Sequence, residues 1–268
     1  HGENTAKEGS EMLKLTDIDK TFNAGTIDEK VLFDKFSLSI DEGEFVSVVG
    51  SNGSGKTTML NIISGDVLPD GGHVELKGKD ITKMKNFVRA KNIARVFQNP
   101  AMGTCPSMTI LENMSIADNK GKRYGLTRGL NLKRKDFYRS QLQILGMGLE
   151  NRLNTLTGTL SGGQRQALAL IMATMSKPDI LLLDEHTAAL DPKSADIVME
   201  LTRDIVEESK ITTVMITHNL RYAVEYGTRA IMMHEGNVIL DLKGEEKAEQ
   251  SIDDYLKIFN EISIECGN

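Results

Sequence analysis

Residues 45–58 read FVSVVGSNGSGKTT, an apolar run that breaks into Gly50-Ser51-Asn52-Gly53-Ser54-Gly55-Lys56-Thr57-Thr58. The run, taken as Glu44–Val49, predicts a buried strand, and Met59–Ser64 continues beyond the glycines as a helix. The loop between them matches G-x-x-x-x-G-K-[ST]. Glycines let consecutive backbone N–H groups turn inward around phosphate oxygens, and the helix starting near Lys56 aims its positive end at them. Lys56 supplies a mobile point charge for β- and γ-phosphates, and the Thr57 hydroxyl suits Mg²⁺. Strand before and helix after are the context this motif needs. The expected ligand is a nucleoside triphosphate with its metal.

Two further stretches carry chemistry. Ile180–Leu183 is a continuous apolar strand that delivers Asp184 and Glu185 at its C-terminal end. Downstream of a phosphate loop, Asp184 is expected to hold Mg²⁺ and Glu185 to accept a proton from an attacking water. Leu160-Ser161-Gly162-Gly163-Gln164 opens a helix expected over Gln164–Met175, a second anion-binding helix N-terminus. One nucleotide cannot use both N-termini from the same face of one fold. The second is therefore expected to serve a nucleotide held by another copy of the chain.

Around these motifs the chain alternates strands and helices. Leu13–Ile40 reads as strand, turn at Thr21–Lys30, and strand; Gly71-Gly72 and Gly78 bracket a hairpin strand, His73–Lys77. Pro100–Leu160 is rich in helix formers and basic residues, with Leu132–Leu145 the clearest amphipathic helix through Leu132, Phe137, Leu142 and Leu145. Ser194–Glu208 then reads as a helix, and Ile211–Ile216, Ala230–Met233 and Val238–Leu242 as strands. This alternation predicts βαβ units in a mainly parallel sheet, interrupted by a helical subdomain. One domain is expected over 12–244, with the helical subdomain at about 100–165 and a short acidic helical tail at 245–268. Residues 1–11, polar and aperiodic, are expected to be an added or disordered leader, with Met12 the native start.

Composition narrows the class. The 268 residues are 40% apolar and 26% charged, an ordinary globular balance that excludes disordered and fibrous classes. No uncharged apolar run approaches the ~20 residues of a membrane span. Cys105 and Cys266 are isolated, which leaves neither a disulfide framework nor a zinc site, and a reducing cytosol is the default. The net charge is −6, and from Asp241 onward eight acids face three lysines, so the body is nearly neutral. That gives no footprint for nucleic acid. One basic stretch stands out: Lys120, Lys122, Arg123, Arg128, Lys133, Arg134, Lys135 and Arg139. It reads as a solvated helix face or as a surface toward anionic lipid or a partner.

With these motifs in this order, the chain resembles the ATP-binding subunits of bacterial ABC transporters, importer type, from about Leu13 to Gly244. In that resemblance Gly50–Thr58 is the Walker A loop, Leu160–Gln164 the signature and Ile180–Asp184 Walker B. The implied fold class is α/β: a P-loop NTPase (ABC ATPase) core with a mainly parallel sheet, an antiparallel β subdomain and the inserted helical subdomain. The implied ligands are ATP and Mg²⁺, with Thr57, Gln98 and Asp184 on the metal side. Gln98, in RVFQNP, matches the glutamine that senses Mg²⁺ and the permease, and Glu185 matches the catalytic base. His218, in ITHNL, matches the histidine that contacts the γ-phosphate; with Lys56, Gln98 and Glu185 it completes the implied catalytic set. Phe22 sits where an aromatic ring stacks on adenine, and Ala189-Leu190-Asp191 matches the D-loop. Asp191 thereby joins Ser161, Gly162, Gly163 and Gln164 among the implied nucleotide contacts.

The implied partners are a second copy of the ATPase, integral-membrane permease subunits and, through them, an extracellular substrate-binding protein, which places the chain peripherally on the cytoplasmic face of the membrane. Gln98–Glu112 contains Pro100, Gly103 and Pro106, so it is not one regular helix. It reads as a loop packing its own apolar residues inward or, the favoured expectation, as exposing Met102, Met108 and Ile110 in a cleft for a permease helix. Three departures from the common pattern touch subclass only: His186 replaces a proline, Ala188 replaces a serine, and the signature helix continues RQALALIMA. DEHTAALDP, FQNPAMGT and MMHEGNVILD resemble a bacterial importer branch with separate binding lipoproteins, some linked to aromatic amino acids. The alternatives are a non-transport ABC ATPase of DNA-repair or chromosome type, and an export cassette. The first inserts long coiled coils for which Lys56–Leu160 leaves no room. The second carries an acidic stretch before the signature, where this chain has NTLTGT at 154–159.

Overall fold

The structure, a computed structural model, describes residues 11–120 and 129–265, with side chains as far as Ile258. The first half runs β1 (Glu11–Phe22), β2 (Lys30–Asp41), β3 (Phe45–Gly50), α1 (Lys56–Ser64), β4 (Gly71–Leu76), β5 (Lys79–Asp80), α2 (Asn86–Arg89) and β6 (Ile93–Val96). Helices follow: α3 (Pro100–Gly103), α4 (Ile110–Asp118), α5 (Lys135–Gln143) and α6 (Gly162–Thr174). The chain then returns through β7 (Ile180–Asp184), α7 (Pro192–Ser209), β8 (Thr212–Ile216), α8 (Leu220–Glu225), β9 (Arg229–His234) and β10 (Asn237–Lys243). It ends in α9 (Gly244–Ala248) and α10 (Ile252–Glu265).

Two sheets result. A six-stranded sheet has the order β10-β9-β3-β8-β7-β6, parallel throughout except at β10. A four-stranded antiparallel sheet has the order β2-β1-β4-β5. The α/β class with a mainly parallel sheet and an antiparallel β unit is thus as expected. β3 and β8 are buried along their whole length, which is why they read as unbroken apolar runs rather than alternating ones.

The period of two reappears in how the faces are shared. Ile180 and Leu182 pack with Val46, Val48, α1 and the antiparallel sheet, while Leu181 and Leu183 face α6 and the helical segment. That segment shares this core: Ile110, Met114, Tyr138 and Leu142 belong to the same cluster as Leu183.

Several expectations shift. α1 starts at Lys56, as the phosphate-loop reading expects, whereas Glu11, Gly71 and Gly72 belong to strands. The helix expected over Leu132–Leu145 is regular only over Lys135–Gln143, after a 3-10 turn at Leu132–Arg134, and Leu132 is exposed. Ile110, expected at the surface, is fully buried, because Thr109 caps α4 and turns the next side chain inward. Of the basic stretch, Lys122, Arg123 and Arg128 lie outside the described residues. Arg134 pairs with Asp118 at 2.6 Å and lies over the Phe137 ring, so part of that stretch is structural. Cys105 is free and half-buried, and Cys266 lies outside the described residues.

The end of α1 rests on a buried cation. Arg89, 1% exposed, donates to the carbonyls of Ile62 (2.7 Å), Ile63 (3.0 Å), Thr82 (2.7 Å) and Met84 (2.9 Å). Two of these are last-turn carbonyls of α1, where helix geometry leaves donors short; among the described residues the Ile62 carbonyl otherwise takes only the Gly65 N–H at 3.3 Å. Arg89→Leu leaves all four without this donor and is expected to cost about 3 kcal/mol or more in urea unfolding, with Arg89→Lys recovering part. A loss below about 1 kcal/mol would show that water replaces the guanidinium without penalty.

Candidate functional site

β3, β8 and β7 are neighbours and parallel, so their carboxyl ends deliver Gly50, Thr217-His218 and Asp184-Glu185 to one edge of the sheet. Such edges are where open α/β sheets hold ligands. The loop between β3 and α1 is fixed by crowding as much as by flexibility. A Cβ on Gly50 would stand 2.1 Å from the Met233 carbonyl oxygen, and one on Gly55 2.8 Å from the Phe33 ring. Gly55 begins α1 with no side-chain cap, so the first-turn N–H groups are left for an anion. Lys56, 5% exposed, folds back and donates to the carbonyls of Gly50 (2.8 Å) and Ser51 (2.9 Å). Burial lowers its pKa, opposed by the nearby Glu185 and Asp184 carboxylates.

A cleft of about 260 Å³ opens here, lined by Phe22, Asn52, Gly53, Gly55, Lys56, Thr57, Thr58 and Glu185 from the expected set. Lys30 and Leu32, which no motif pointed to, complete it. Glu185 has φ 48°, a left-handed conformation that a non-glycine residue holds only under constraint. Its N–H donates to the Ile216 carbonyl at 3.1 Å, and its Oε1 lies 2.5 Å from His218 Nε2. The bent backbone thus turns the carboxylate from the strand into the cleft, against the imidazole.

Asp184 is held from the other side. Its Oδ2 accepts from Arg95 Nη2 at 2.5 Å, while Arg95 Nη1 reaches Asn61 Oδ1 at 2.7 Å and Asp66 Oδ2 at 3.2 Å. A lone arginine inside the apolar strand I-A-R-V, next to a strand ending in acid, was the signal for this pairing. Among the described residues no cluster of three or more His, Cys, Asp or Glu could cage a metal. Mg²⁺ in nucleotide sites takes only one or two protein oxygens beside phosphates and waters, a pattern that the Thr57 hydroxyl and Asp184 fit.

The remaining expected residues lie apart from this cleft. Ser161 and Gln164 form a capping box at the start of α6: Ser161 Oγ accepts from Gln164 N–H and Gln164 Oε1 from Ser161 N–H, both at 3.2 Å. The Gly162 and Gly163 N–H groups are not used by that box. Asp191 caps α7, its Oδ1 accepting from Ser194 N–H at 3.1 Å, and hydrogen bonding from the Ser194 side chain, then from that N–H, holds its carboxyl below the usual range. Gln98 follows β6 and is exposed. A second cleft, about 410 Å³, runs from Glu185 and His218 past Leu190 to Tyr222.

His186, the residue beyond Glu185, is 1% exposed with Nε2 3.1 Å from Thr202 Oγ1. Thr202 spends its one hydroxyl hydrogen on the Val198 carbonyl (2.7 Å), so the imidazole must be the donor, protonated at Nε2. It ties the loop after β7 to the middle of α7. Burial pushes its pKa down to about 4.

Residues 33–188 match the family described as ABC transporter. Over 248 residues the chain is 45% identical to a tyrosine transport ATP-binding protein of Clostridioides difficile (strain R20291), covering 92% of this chain and 98% of that one. It is 33% identical to a phosphonates import ATP-binding protein of Ruegeria sp. (strain TM1040), covering 87% and 89%. Its fold is similar, at TM-score 0.73 and 32% identity over 87% of this chain and 98% of the other, to a dimeric ATP-binding cassette in a post-hydrolysis state bound to ADP and Pi.

The neutral, buried His186 makes stability pH-dependent with a definite sign. The unfolded imidazole takes up a proton near pH 6.5, whereas the folded one resists until about 4. Stability from this group is therefore present above pH 6.5 and lost as pH falls toward 4, about 2 kcal/mol of it by pH 5. Urea unfolding of His186→Gln should show that much less loss than the wild type between pH 7 and 5. Parallel pH profiles would contradict the neutral assignment.

Proposed function

We propose, for a chain that belongs to the ABC transporter family as an ATP-binding subunit, that it is the ATP-hydrolysing motor of an importer. The observation that carries the reading is the convergence of the Gly50–Thr58 loop, Lys56, Glu185 and His218 on one sheet edge. ATP would lay its base against Phe22 and its phosphates on the bare end of α1. Lys56 would exchange the two loop carbonyls it now holds for phosphate oxygens. Glu185 is the group placed to take a proton from the attacking water, with His218 fixing its orientation. Thr57 and Asp184 would hold Mg²⁺, with Gln98 in contact through the loop after β6; the metal, when bound, neutralises charge on the phosphate oxygens.

Two copies are inferred to close head-to-tail, each nucleotide lying between Lys56 of one and Ser161–Gln164 of the other, with Asp191 near the seam. The separation of α6 from the phosphate cleft supports this arrangement. The tyrosine transport relative supports an amino acid, aromatic by analogy, as the cargo, brought to the permease by an extracellular binding protein. No helix among the described residues is long and apolar enough to cross a membrane. As the ATP-binding subunit of an importer, the chain is inferred to sit on the cytoplasmic face, attached through permease subunits. The docking surface is assigned to Gln98–Glu112, where Met102 is 66% exposed and Met108 half-buried.

Glu185→Gln should bind ATP, run as a dimer on sizing with MgATP, and hydrolyse at least roughly 10²-fold more slowly. Lys56→Ala should lose ATP affinity and turnover together. Near-normal turnover in Glu185→Gln would remove Glu185 as the base, and a strict monomer at saturating ATP would remove the dimer. Met102→Asp should spare the ATPase activity of the isolated subunit and abolish permease association, scored by co-purification from membranes. Intact association would move the docking surface elsewhere.

A further inference from the structure

Lys30 stands in the nucleotide cleft without belonging to any motif of the chain. Phe22 ends β1, Lys30 begins β2, and the antiparallel register sets the two directly opposite each other. Opposed residues share a face of the sheet with Cβ atoms ~5 Å apart, so the hairpin delivers an ammonium beside the aromatic ring. Its Nζ lies 3.5 Å from the point that a Cβ on Gly53 would occupy, over the middle of the phosphate loop.

The turn before Lys30 is ordered by its own bonds. Thr26 Oγ1 donates to the Asn23 carbonyl at 2.8 Å, and the Gly25 N–H donates to Glu29 Oε2 at 2.5 Å. The neighbouring acid Glu29 is thereby spent on the turn. Glu185, the acid sharing the cleft, is engaged by His218. Lys20, on the same hairpin, is bound to Asp70 at 2.8 Å. Lys30 alone of these two lysines has no ion-pair or hydrogen-bond partner among the described residues. An unpaired cation between a ring and a phosphate loop matches an anion, not a neutral base or sugar.

We propose that Lys30 is a further nucleotide-binding residue, its ammonium pairing with phosphate oxygens of the nucleotide held between Phe22 and the loop. This rests on the nucleotide-site reading above. It adds a charge contact from the antiparallel sheet to those from the core, so the two sheets grip one ligand.

The test is calorimetric binding of MgADP to the full chain as wild type, Lys30→Arg, Lys30→Met and Lys30→Glu, at low and high salt, with Lys56→Ala as reference. Lys30→Arg should bind like the wild type, Lys30→Met about five- to tenfold more weakly, and Lys30→Glu more weakly still. The spread should shrink at high salt. Equal affinity across Arg, Met and Glu, with Lys56→Ala weakened, would overturn the role of Lys30 and leave the nucleotide site standing. Loss in Lys30→Arg equal to that in Lys30→Met would reduce Lys30 to a packing role and also overturn it. Undiminished binding by Lys56→Ala would overturn the nucleotide-site reading itself, and this inference with it.

Discussion

A helix end without a cap is the constraint around which this fold is arranged. α1 begins at Gly55 with no side chain accepting from its first turn, at the buried end of a fully buried strand. Bare N–H groups and a buried ammonium in one place would repel, so the three charges that the core sheet brings to this edge each have a partner within the chain. Lys56 lies on two loop carbonyls, Asp184 on Arg95, and Glu185 on His218. Each of these is a contact that a polyphosphate and a cation could replace one for one. Ligand binding at such an edge is an exchange of partners, which avoids the large cost of desolvating unpaired charges anew.

Buried cations also hold the frame that carries this edge. Arg89 closes the far end of α1. Arg229, 4% exposed at the start of β9, donates to Asp241 Oδ2 at 2.6 Å, to Glu44 Oε2 at 3.1 Å and to the Ser39 carbonyl at 2.7 Å, so it joins the two sheets. Lys247, in the acidic tail, donates to the carbonyls of Val224, Tyr226 and Gly227, and burial lowers its pKa to about 8. The tail is therefore anchored to the end of α8 by its cation, while Glu245, Glu246, Glu249 and Asp253 are exposed. Guanidinium and ammonium groups suit this task because one residue satisfies several carbonyls that helix and strand ends leave over.

The parts of the fold legible in the sequence are those where one local pattern decides. An apolar run ending in Gly50, or in Asp184, admits few readings besides a buried parallel strand. The glycines at 50 and 55 mark close approaches, of the Met233 backbone and of the Phe33 ring, that leave no space for a side chain. Patterns failed where tertiary contacts overrode them: Leu132 keeps helical spacing but lies before the regular helix, and Ile110 is turned inward by the cap at Thr109. Arg95 stands out in the sequence only as a charge in an apolar strand, and Lys30 not at all, since each matters through a strand partner. Arg95 acts across the β6–β7 pairing and Lys30 across the β1–β2 pairing, and register is a property of two segments that neither states alone. His186 was visible only as a departure from pattern; its burial against Thr202 depends on where α7 comes to rest.

The two glycine-flanked helix ends also differ in a way that their shared residue types conceal. At α6 the Ser161–Gln164 box satisfies Gln164 N–H and Ser161 N–H internally. At α1 no side chain does so. An anion therefore gains most at α1, where all the first-turn donors are open and Lys56 adds a full charge. At α6 it meets only the N–H groups left over by the box, and no lysine is part of that turn. On the dimer reading this makes the two halves of each nucleotide site unequal by construction. In that arrangement the α1 side would hold a nucleotide in a single copy, and the α6 side would contribute only once a second copy brought it near. Closure would then depend on the ligand already bound, the order a motor needs if hydrolysis is to be confined to the assembled pair.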